Sequence, residues 1–166
     1  SITHVELVHA AALSSLSDTL SSVKVNTLAD HTIQFVTPTG ISAASGFTIN
    51  FPVGWNLGTI DATSTDFATS TSASCAGFTD SFIKNGAASG ITWGVSTTSQ
   101  SLTITSGTAV VPANRCVQIR IGTNAIFQAS GTAQITNPSS ATSSVISING
   151  AFGDTGNISV NIITDD

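Results

Sequence analysis

Charged residues are scarce in this sequence. Asp, Glu, Lys and Arg make up 8% of its 166 residues, whereas an average soluble protein has about 25%. The four Lys and Arg residues and the nine Asp and Glu residues give a net charge of −5. Because contacts to phosphate groups require clustered Lys and Arg, we expect no nucleic acid among the partners of this protein.

The residues that build metal sites and acid–base sites are also few. The sequence has three His, two Cys and a single Glu, and the G-x-S-x-G motif of many serine hydrolases does not occur. We therefore expect no cofactor, no metal and no enzymatic activity. No run of about 20 apolar residues is present, so we expect no membrane span. No secretory signal is present, and Ser1 in place of Met fits an extracellular protein secreted with removal of a signal peptide.

Residues that favour β-structure are abundant. Val, Ile and Thr together number 54, and Ser and Thr contribute 25 residues each. Side chains branched at Cβ pack well on a pleated sheet. A surface of hydroxyl groups with little charge repels itself weakly, which suits a protein that packs against copies of itself. Many secreted β domains share this composition, so it does not decide between assembly and an ordinary surface domain.

Nine short segments carry strand signals, and most of them alternate apolar and polar residues. Val117, Ile119 and Ile121, for example, alternate with Gln118 and Arg120, the pattern of a strand with one buried face. The segments are separated by turn residues, so they predict an all-β fold, a single immunoglobulin-like or jelly-roll-type β-sandwich. The nine predicted strands are 20–25, 31–36, 46–51, 90–95, 101–106, 116–121, 132–136, 144–149 and 157–163. The predicted core residues are Ile33, Phe35, Ile49, Phe51, Ile104, Val117, Ile119, Ile146, Ile148, Ile158 and Val160.

The stretch 61–90 differs from the rest of the chain because it is small and polar and has no sustained period. We predict a long surface connection there, with at most a short strand or a helical turn. Cys75 lies in its middle, and Cys116 is the other thiol of the sequence. An even pair of this kind predicts one disulfide, which would tether the connection to a strand. The alternative is two separate buried thiols.

Residues 1–14 form an apolar N-terminal arm before the sandwich domain predicted at 15–166. Both a strand and an amphipathic helix fit its spacing, and the all-β character of the rest favours a strand. We predict that the arm is a donor strand, which inserts into a neighbouring subunit. The alternative is that it folds back as the first strand of its own sandwich. The predicted donor-strand residues are Ile2, Val5, Leu7, Ala11 and Leu13.

Two aromatic residues and one asparagine are candidates for contacts with carbohydrate. Trp55 and Trp93 could stack on a sugar ring from an exposed face, although packing in the core is the simpler interpretation. Asn157, followed by Ile158 and Ser159, matches the acceptor pattern for N-glycosylation.

The remaining polar candidates have simpler structural interpretations. Asp61 and Asp66 are the nearest acidic pair for a hydrolase that uses two carboxylates, but solvated or turn-capping side chains are the default. His31 begins a predicted strand, and we expect it to form a hydrogen bond at the strand end. The segment 153–157 lacks the alternating carboxylates of a calcium loop, so we predict a hairpin turn there.

Several segments occur in an order that resembles a known family. Leu-Ser-Asp-Thr at 16–19 precedes HTIQF and TPTG, and FTINFP, IGTNA, AQITNP and GDTG follow, so that the similarity covers about 14–166. The motifs and their order are similar to a repeated surface-protein module of small-celled candidate-phylum bacteria. The resemblance implies a cell-surface β-sandwich and no particular activity. With its N-terminal arm, the chain looks like a donor-strand, pilin-like filament subunit.

Two functional hypotheses follow. The first is a structural subunit of an extracellular filament or surface layer, a homopolymer that grows head-to-tail by strand addition between copies of itself. The chain has two Lys and four Pro, so few residues protect its sheet edges from such pairing. The alternative is a carbohydrate-binding or adhesin-type module, whose partner is a cell-surface or glycan ligand.

Overall fold

A computed structural model describes residues 10–151 and 153–164. These residues form thirteen β-strands and one turn of 3₁₀-helix, Ala62–Ser64. The strands are β1 (Ser14–Leu20), β2 (Leu28–Ala29), β3 (His31–Thr37), β4 (Gly46–Asn50), β5 (Thr65–Thr69), β6 (Thr79–Ser81), β7 (Ile83–Asn85), β8 (Trp93–Thr97), β9 (Ser101–Thr105), β10 (Arg115–Ile121), β11 (Ile135–Thr136), β12 (Thr142–Gly150) and β13 (Thr155–Ile162). Within this part of the chain, no helix has the length and apolarity that crossing a membrane requires.

The strands form two main sheets that pack face to face. One sheet has the order β1-β3-β10-β5-β6, and the other has the order β13-β12-β4-β9-β8-β7. Strands β2 and β11 form a small separate pair. Pairing between the named strands is antiparallel, except that β7 and β8 run parallel. The predicted all-β sandwich is confirmed.

Alternation along the strands places the apolar residues between the two sheets. In β10, Val117, Ile119 and Ile121 are completely buried, while Gln118 and Arg120 on the other face are partly exposed. All eleven predicted core residues belong to the buried core. The prediction was accurate because ten of these residues lie on strands that face the opposite sheet with one side only, and Phe51 directly follows β4.

The structure corrects the prediction for residues 61–90. This stretch contains the 3₁₀-helix and three strands, and β5 lies inside the first sheet between β10 and β6. Four of the five β5 residues are buried, and Phe67 is one of the large side chains of the core. Because β5 is covered on both faces, its small and polar residues show no alternation that would identify a strand.

One further boundary differs from the prediction. The first strand of the sandwich is 14–20 rather than 20–25, and residues 21–25 contribute an isolated bridge between Lys24 and Ile163 instead of a strand. Strand β1 is irregular, because its register with β3 shifts between Ser14 and Ser17. A bulge of this kind breaks the alternation that identifies a strand in sequence.

The N-terminal arm is described only from residue 10 onward. Ala11 and Leu13 lie against their own domain: the Thr155 N–H donates to the Ala11 carbonyl at 3.1 Å, and the Leu13 N–H donates to the Thr155 carbonyl at 2.8 Å. The Leu13 side chain is part of the buried core. The other predicted donor residues, Ile2, Val5 and Leu7, lie outside the described residues, so donation of that segment stays a proposal.

The predicted disulfide between Cys75 and Cys116 is present. Cys116 lies near the start of β10, and Cys75 lies in the loop between β5 and β6. The backbone reinforces this tether, because the Cys116 N–H donates to the Ser72 carbonyl at 3.1 Å and its carbonyl accepts from the Ser70 N–H at 2.9 Å. The loop after β5 is therefore held beside the strand that pairs with β5.

We expect the substitution Ile119→Ala to lower the free energy of unfolding by about 2–5 kcal/mol, because it removes three methyl or methylene groups from a fully buried position. Val145→Ala is the matched control: Val145 is 50% exposed on the outer face of β12, and its truncation should change stability by less than about 0.5 kcal/mol. Urea denaturation followed by tryptophan fluorescence measures both. Equal effects for the two variants would contradict the assigned core.

Reduction of the disulfide should destabilise the fold by roughly 4 kcal/mol, because the bond closes a loop with a sequence separation of 41 residues and restricts the unfolded chain. Thermal denaturation with and without a reductant measures the effect. The Cys75→Ala, Cys116→Ala double variant should melt like the reduced protein and should not respond to the reductant. If neither reduction nor the double substitution lowered the melting temperature, the result would contradict a stabilising role for the disulfide.

Candidate functional site

Both predicted carbohydrate-stacking residues are buried. Trp55 and Trp93 are each 2% exposed, so neither presents a ring to a ligand. The Trp55 indole N–H donates to the Ser144 hydroxyl at 3.0 Å, and the Trp93 ring packs against Phe67 with centroids 4.5 Å apart. The interpretation as glycan-stacking residues is therefore corrected: each tryptophan lies on the inner face of the sandwich, and core packing accounts for both.

Asp61 and His31 have structural partners. Asp61 caps the 3₁₀-helix, and its carboxylate accepts from the backbone N–H groups of Thr63 and Ser64, as the turn-capping interpretation predicted. His31 is buried at the start of β3, and its Nδ1 lies 2.7 Å from a carboxylate oxygen of Asp18. Both residues stabilise local structure, and neither faces a cavity with a second catalytic group.

The hairpin between β12 and β13 is also built around a carboxylate. Asp154 is buried, and its Oδ2 accepts from the hydroxyl groups of Thr37 and Thr39 at 3.0 and 2.7 Å and from the Thr39 N–H at 3.2 Å. This supports a turn rather than a calcium loop, and no group of three His, Cys, Asp or Glu suited to a metal ion occurs among the described residues. Asn157 is exposed on β13, and its glycosylation stays a prediction.

A cluster of exposed apolar side chains, which the sequence analysis did not identify, lies at one side of the sandwich. Phe82, Ile126 and Phe127 have exposed fractions of 61%, 66% and 40%. The rings of Phe82 and Phe127 are in contact, with centroids 5.0 Å apart and planes inclined by 46°. We call these three residues the apolar patch. Large apolar side chains that cluster on a surface mark interaction sites more often than single exposed ones do.

The chain topology places Phe82 at the edge of the sandwich. Strand β6 is an edge of the first sheet and β7 is an edge of the second, and Phe82 is the one residue between them. Its carbonyl accepts from the Trp93 N–H at 2.9 Å. Next to it, the Gln128 side-chain amide bonds with both the N–H and the carbonyl of Ile83. Phe82 is therefore held between two sheets and a fixed loop.

A buried carboxylate positions the other two patch residues. Asp66 is 3% exposed, and its Oδ2 accepts from the backbone N–H groups of Ile126 and Phe127 at 2.8 and 3.0 Å. The same oxygen lies 2.9 Å from Nη2 of Arg120, which also contacts Asp80 at 2.8 Å. Two N–H groups bound to one carboxylate orient this turn, so that the side chains of Ile126 and Phe127 project outward.

The arrangement suits binding rather than catalysis. The patch carries no nucleophile and no acid–base pair, and its polar neighbours Asp66, Arg120 and Gln128 are engaged with one another or with the backbone. The cost of ordering the loop on binding is small because its backbone is already held. A rigid aromatic and aliphatic surface bordered by polar groups has the composition of the central part of a protein interface.

The sequence contains one signal for this site. Ile126 and Phe127 are large apolar residues directly after the segment IGTNA, in a loop where polar residues are the rule. Phe82 has the same character within the polar stretch 61–90. The sequence does not reveal that Phe82 lies near Ile126 and Phe127. These residues are 44 and 45 positions after Phe82, and only the fold brings them close to it.

Comparisons with known proteins find a likeness to solved structures and no match to a protein family. No model of a protein family matches the chain, and a search of curated proteins finds no match. Among solved structures, the chain is similar to the collagen-binding domain from a Staphylococcus aureus adhesin, with 8% identity and a TM-score of 0.44 over 88% of this chain and 96% of that one. At this TM-score the likeness says nothing about what the present chain binds.

We expect Asp66→Ala to destabilise the protein by about 2–5 kcal/mol, since it leaves two backbone N–H groups without their acceptor and removes one of the two carboxylates that bind Arg120. Amide hydrogen exchange at Ile126 and Phe127 should accelerate as well. Asp61→Ala is the control, because loss of this half-buried helix cap should cost only about 0.5–2 kcal/mol and should leave those two amides unchanged. Unchanged exchange in Asp66→Ala would show that Asp66 does not hold the loop.

Proposed function

We propose that this protein is an extracellular, adhesin-type binding domain whose apolar patch, Phe82, Ile126 and Phe127, binds a hydrophobic surface of another extracellular protein. The observation that carries the proposal is the contact between two exposed phenylalanine rings, Phe82 at the crossing between β6 and β7 and Phe127 on a loop held by hydrogen bonds to Asp66. The disulfide supports an oxidising, extracellular location. The scarcity of charge supports a partner that is not selected by electrostatic attraction.

A protein ligand fits the patch better than a glycan does. Recognition of a sugar requires hydrogen-bonding groups beside the aromatic ring, because its hydroxyl groups must be satisfied. Here the Gln128 amide is bound to Ile83, and the Asp66 carboxylate faces inward. An apolar side chain of a partner needs no such groups, and Ile126 adds aliphatic surface that a sugar ring does not use.

The second candidate function is the structural subunit predicted from the sequence, a homopolymer joined by strand addition. The open edge of strand β13, described below, favours it. The two functions are compatible in one molecule, since the apolar patch lies at the β6–β7 side of the sandwich and β13 lies at the opposite side.

Phe127→Ala and Phe82→Ala should each weaken ligand binding by about tenfold or more, because a central aromatic residue of an interface contributes on the order of 1.4 kcal/mol or more. The measurement uses the labelled protein on arrays of purified extracellular-matrix proteins and of glycans, followed by biolayer interferometry on each positive protein. Val53→Ala is the control, because Val53 is 89% exposed and is not part of the patch.

The binding results distinguish the proposed protein-binding patch from a site elsewhere on the molecule and from a glycan ligand. Binding to a matrix protein that both phenylalanine variants lose and the Val53 variant keeps is the expected result. Binding that all three variants retain would contradict the assigned site. Binding confined to glycans would contradict a protein ligand.

A further inference from the structure

Strand β13 forms one edge of the six-stranded sheet, and within the described part of the chain the backbone pairs with this edge only at its two ends. At the first end, Thr155 exchanges both backbone hydrogen bonds with Ala11 and Leu13. At the other end, the Ile163 N–H donates to the Val23 carbonyl at 2.9 Å, and the Ile163 carbonyl accepts from the Val25 N–H at 3.0 Å. Between these two contacts the N-terminal chain leaves the edge to form β1 in the opposite sheet.

None of the residues that the structure describes pairs with the backbone edge between the two ends. Hydrogen-bonding groups of a strand point alternately to its two sides, so Asn157, Ser159 and Asn161 direct their N–H and carbonyl groups the same way as Thr155 and Ile163. Among the described residues these six groups have no backbone or side-chain partner. We call the backbone edge of Asn157, Ser159 and Asn161 the β13 slot.

The apolar side chains beside the slot are incompletely covered. Leu16 and Leu20 of β1 are only partly buried, although they pack against the core. Leu16 lies close under the edge, since a Cβ on Gly156 would be 2.8 Å from one of its methyl carbons. A strand added at the slot would bring alternate side chains over these leucines and bury apolar surface in addition to forming main-chain hydrogen bonds.

The slot lacks the features that normally prevent such pairing. Its side chains are two asparagines and one serine, all exposed and uncharged. Edge strands that must stay unpaired usually carry Lys, Pro, a bulge or an inward-pointing charge. The pairing of β13 with β12 is regular over eight residue pairs, so no bulge interrupts the strand at the slot.

The N-terminal segment of the sequence supplies a matching strand. Residues 1–9 are SITHVELVH, with Val5 and Leu7 in one strand phase, and the slot faces about five residues of a partner. In its own chain this segment is joined to Ala11–Leu13, which runs parallel to β13 and occupies the Thr155 end of the edge. To reach its own slot, the segment would have to double back over these paired residues.

We propose that residues 1–9 of a second copy of this chain add to the β13 slot as a strand. The donor then belongs to one molecule and the acceptor edge to the next, so the contact is head-to-tail and repeats into a linear assembly unless it closes into a ring. This inference does not depend on a ligand at the apolar patch.

Hydrogen exchange on the full-length protein tests the proposal residue by residue. Amides of Asn157, Ser159 and Asn161 should exchange fast in dilute protein and should become at least tenfold slower at concentrations where sedimentation shows assembly. The Lys84 amide on the opposite edge strand β7 is the control and should not change. Protein that stays monomeric at the highest soluble concentration, or assembly without slower exchange at these three residues, would overturn the proposal.

Variants test the donor and the acceptor separately. Ser159→Pro removes one outward N–H and should abolish assembly, while Ser159→Ala keeps the N–H and should assemble normally; proline is tolerated where a strand N–H faces solvent. If Ser159→Pro does not fold, Leu7→Asp in the donor segment provides the same test. Leu7→Asp protein should not assemble by itself but should bind a synthetic peptide of residues 1–9. Normal assembly of Leu7→Asp would overturn the proposal.

Discussion

Six aspartates in the described part of the chain each accept hydrogen bonds from another segment or turn, and the architecture depends on these contacts. Asp66 binds two loop amides and Arg120, Asp154 binds Thr37 and Thr39, and Asp18 binds His31. Buried polar groups of loops must find partners inside the protein, because an unsatisfied group costs on the order of 1–3 kcal/mol. The described aspartates therefore bind groups within the fold, and hydroxyl and amide groups supply much of the polar surface.

The same contacts explain why the recurring motifs of the sequence lie where they do. Gly122 of IGTNA has φ +124°, and a Cβ there would be 2.1 Å from the Asp30 carboxylate. That carboxylate also accepts from Thr123 and from Gln134 of AQITNP. Asp154 of GDTG binds the two threonines of TPTG. These motifs join loops at the ends of the sandwich, so a resemblance based on them concerns the fold and not a ligand.

The two sides of the sandwich differ in a way that bears on function. At one side the chain crosses between the sheets through the single residue Phe82, and the edge is closed by side chains and the fixed loop around Phe127. At the other side the N-terminal chain touches β13 only near Thr155 and Ile163 and leaves the backbone between them open. The first side offers an apolar surface and the second offers hydrogen-bonding groups, which suit different partners: the side chains of another protein and an extended strand.

The sequence by itself determined the fold class, the phase of the regular strands and the disulfide. Alternation identifies residues such as Ile119 because their strands have one buried and one exposed face, and two isolated cysteines leave a single pairing. Only the tertiary structure decided that β5 is an interior strand, that Trp55 and Trp93 are buried, and that Phe82 meets Phe127. The physical reason is that these features depend on what covers each residue: β5 is covered on both faces and has no period, and Phe82 and Phe127 meet only because a buried Asp66 turns a distant loop toward the crossing between the sheets.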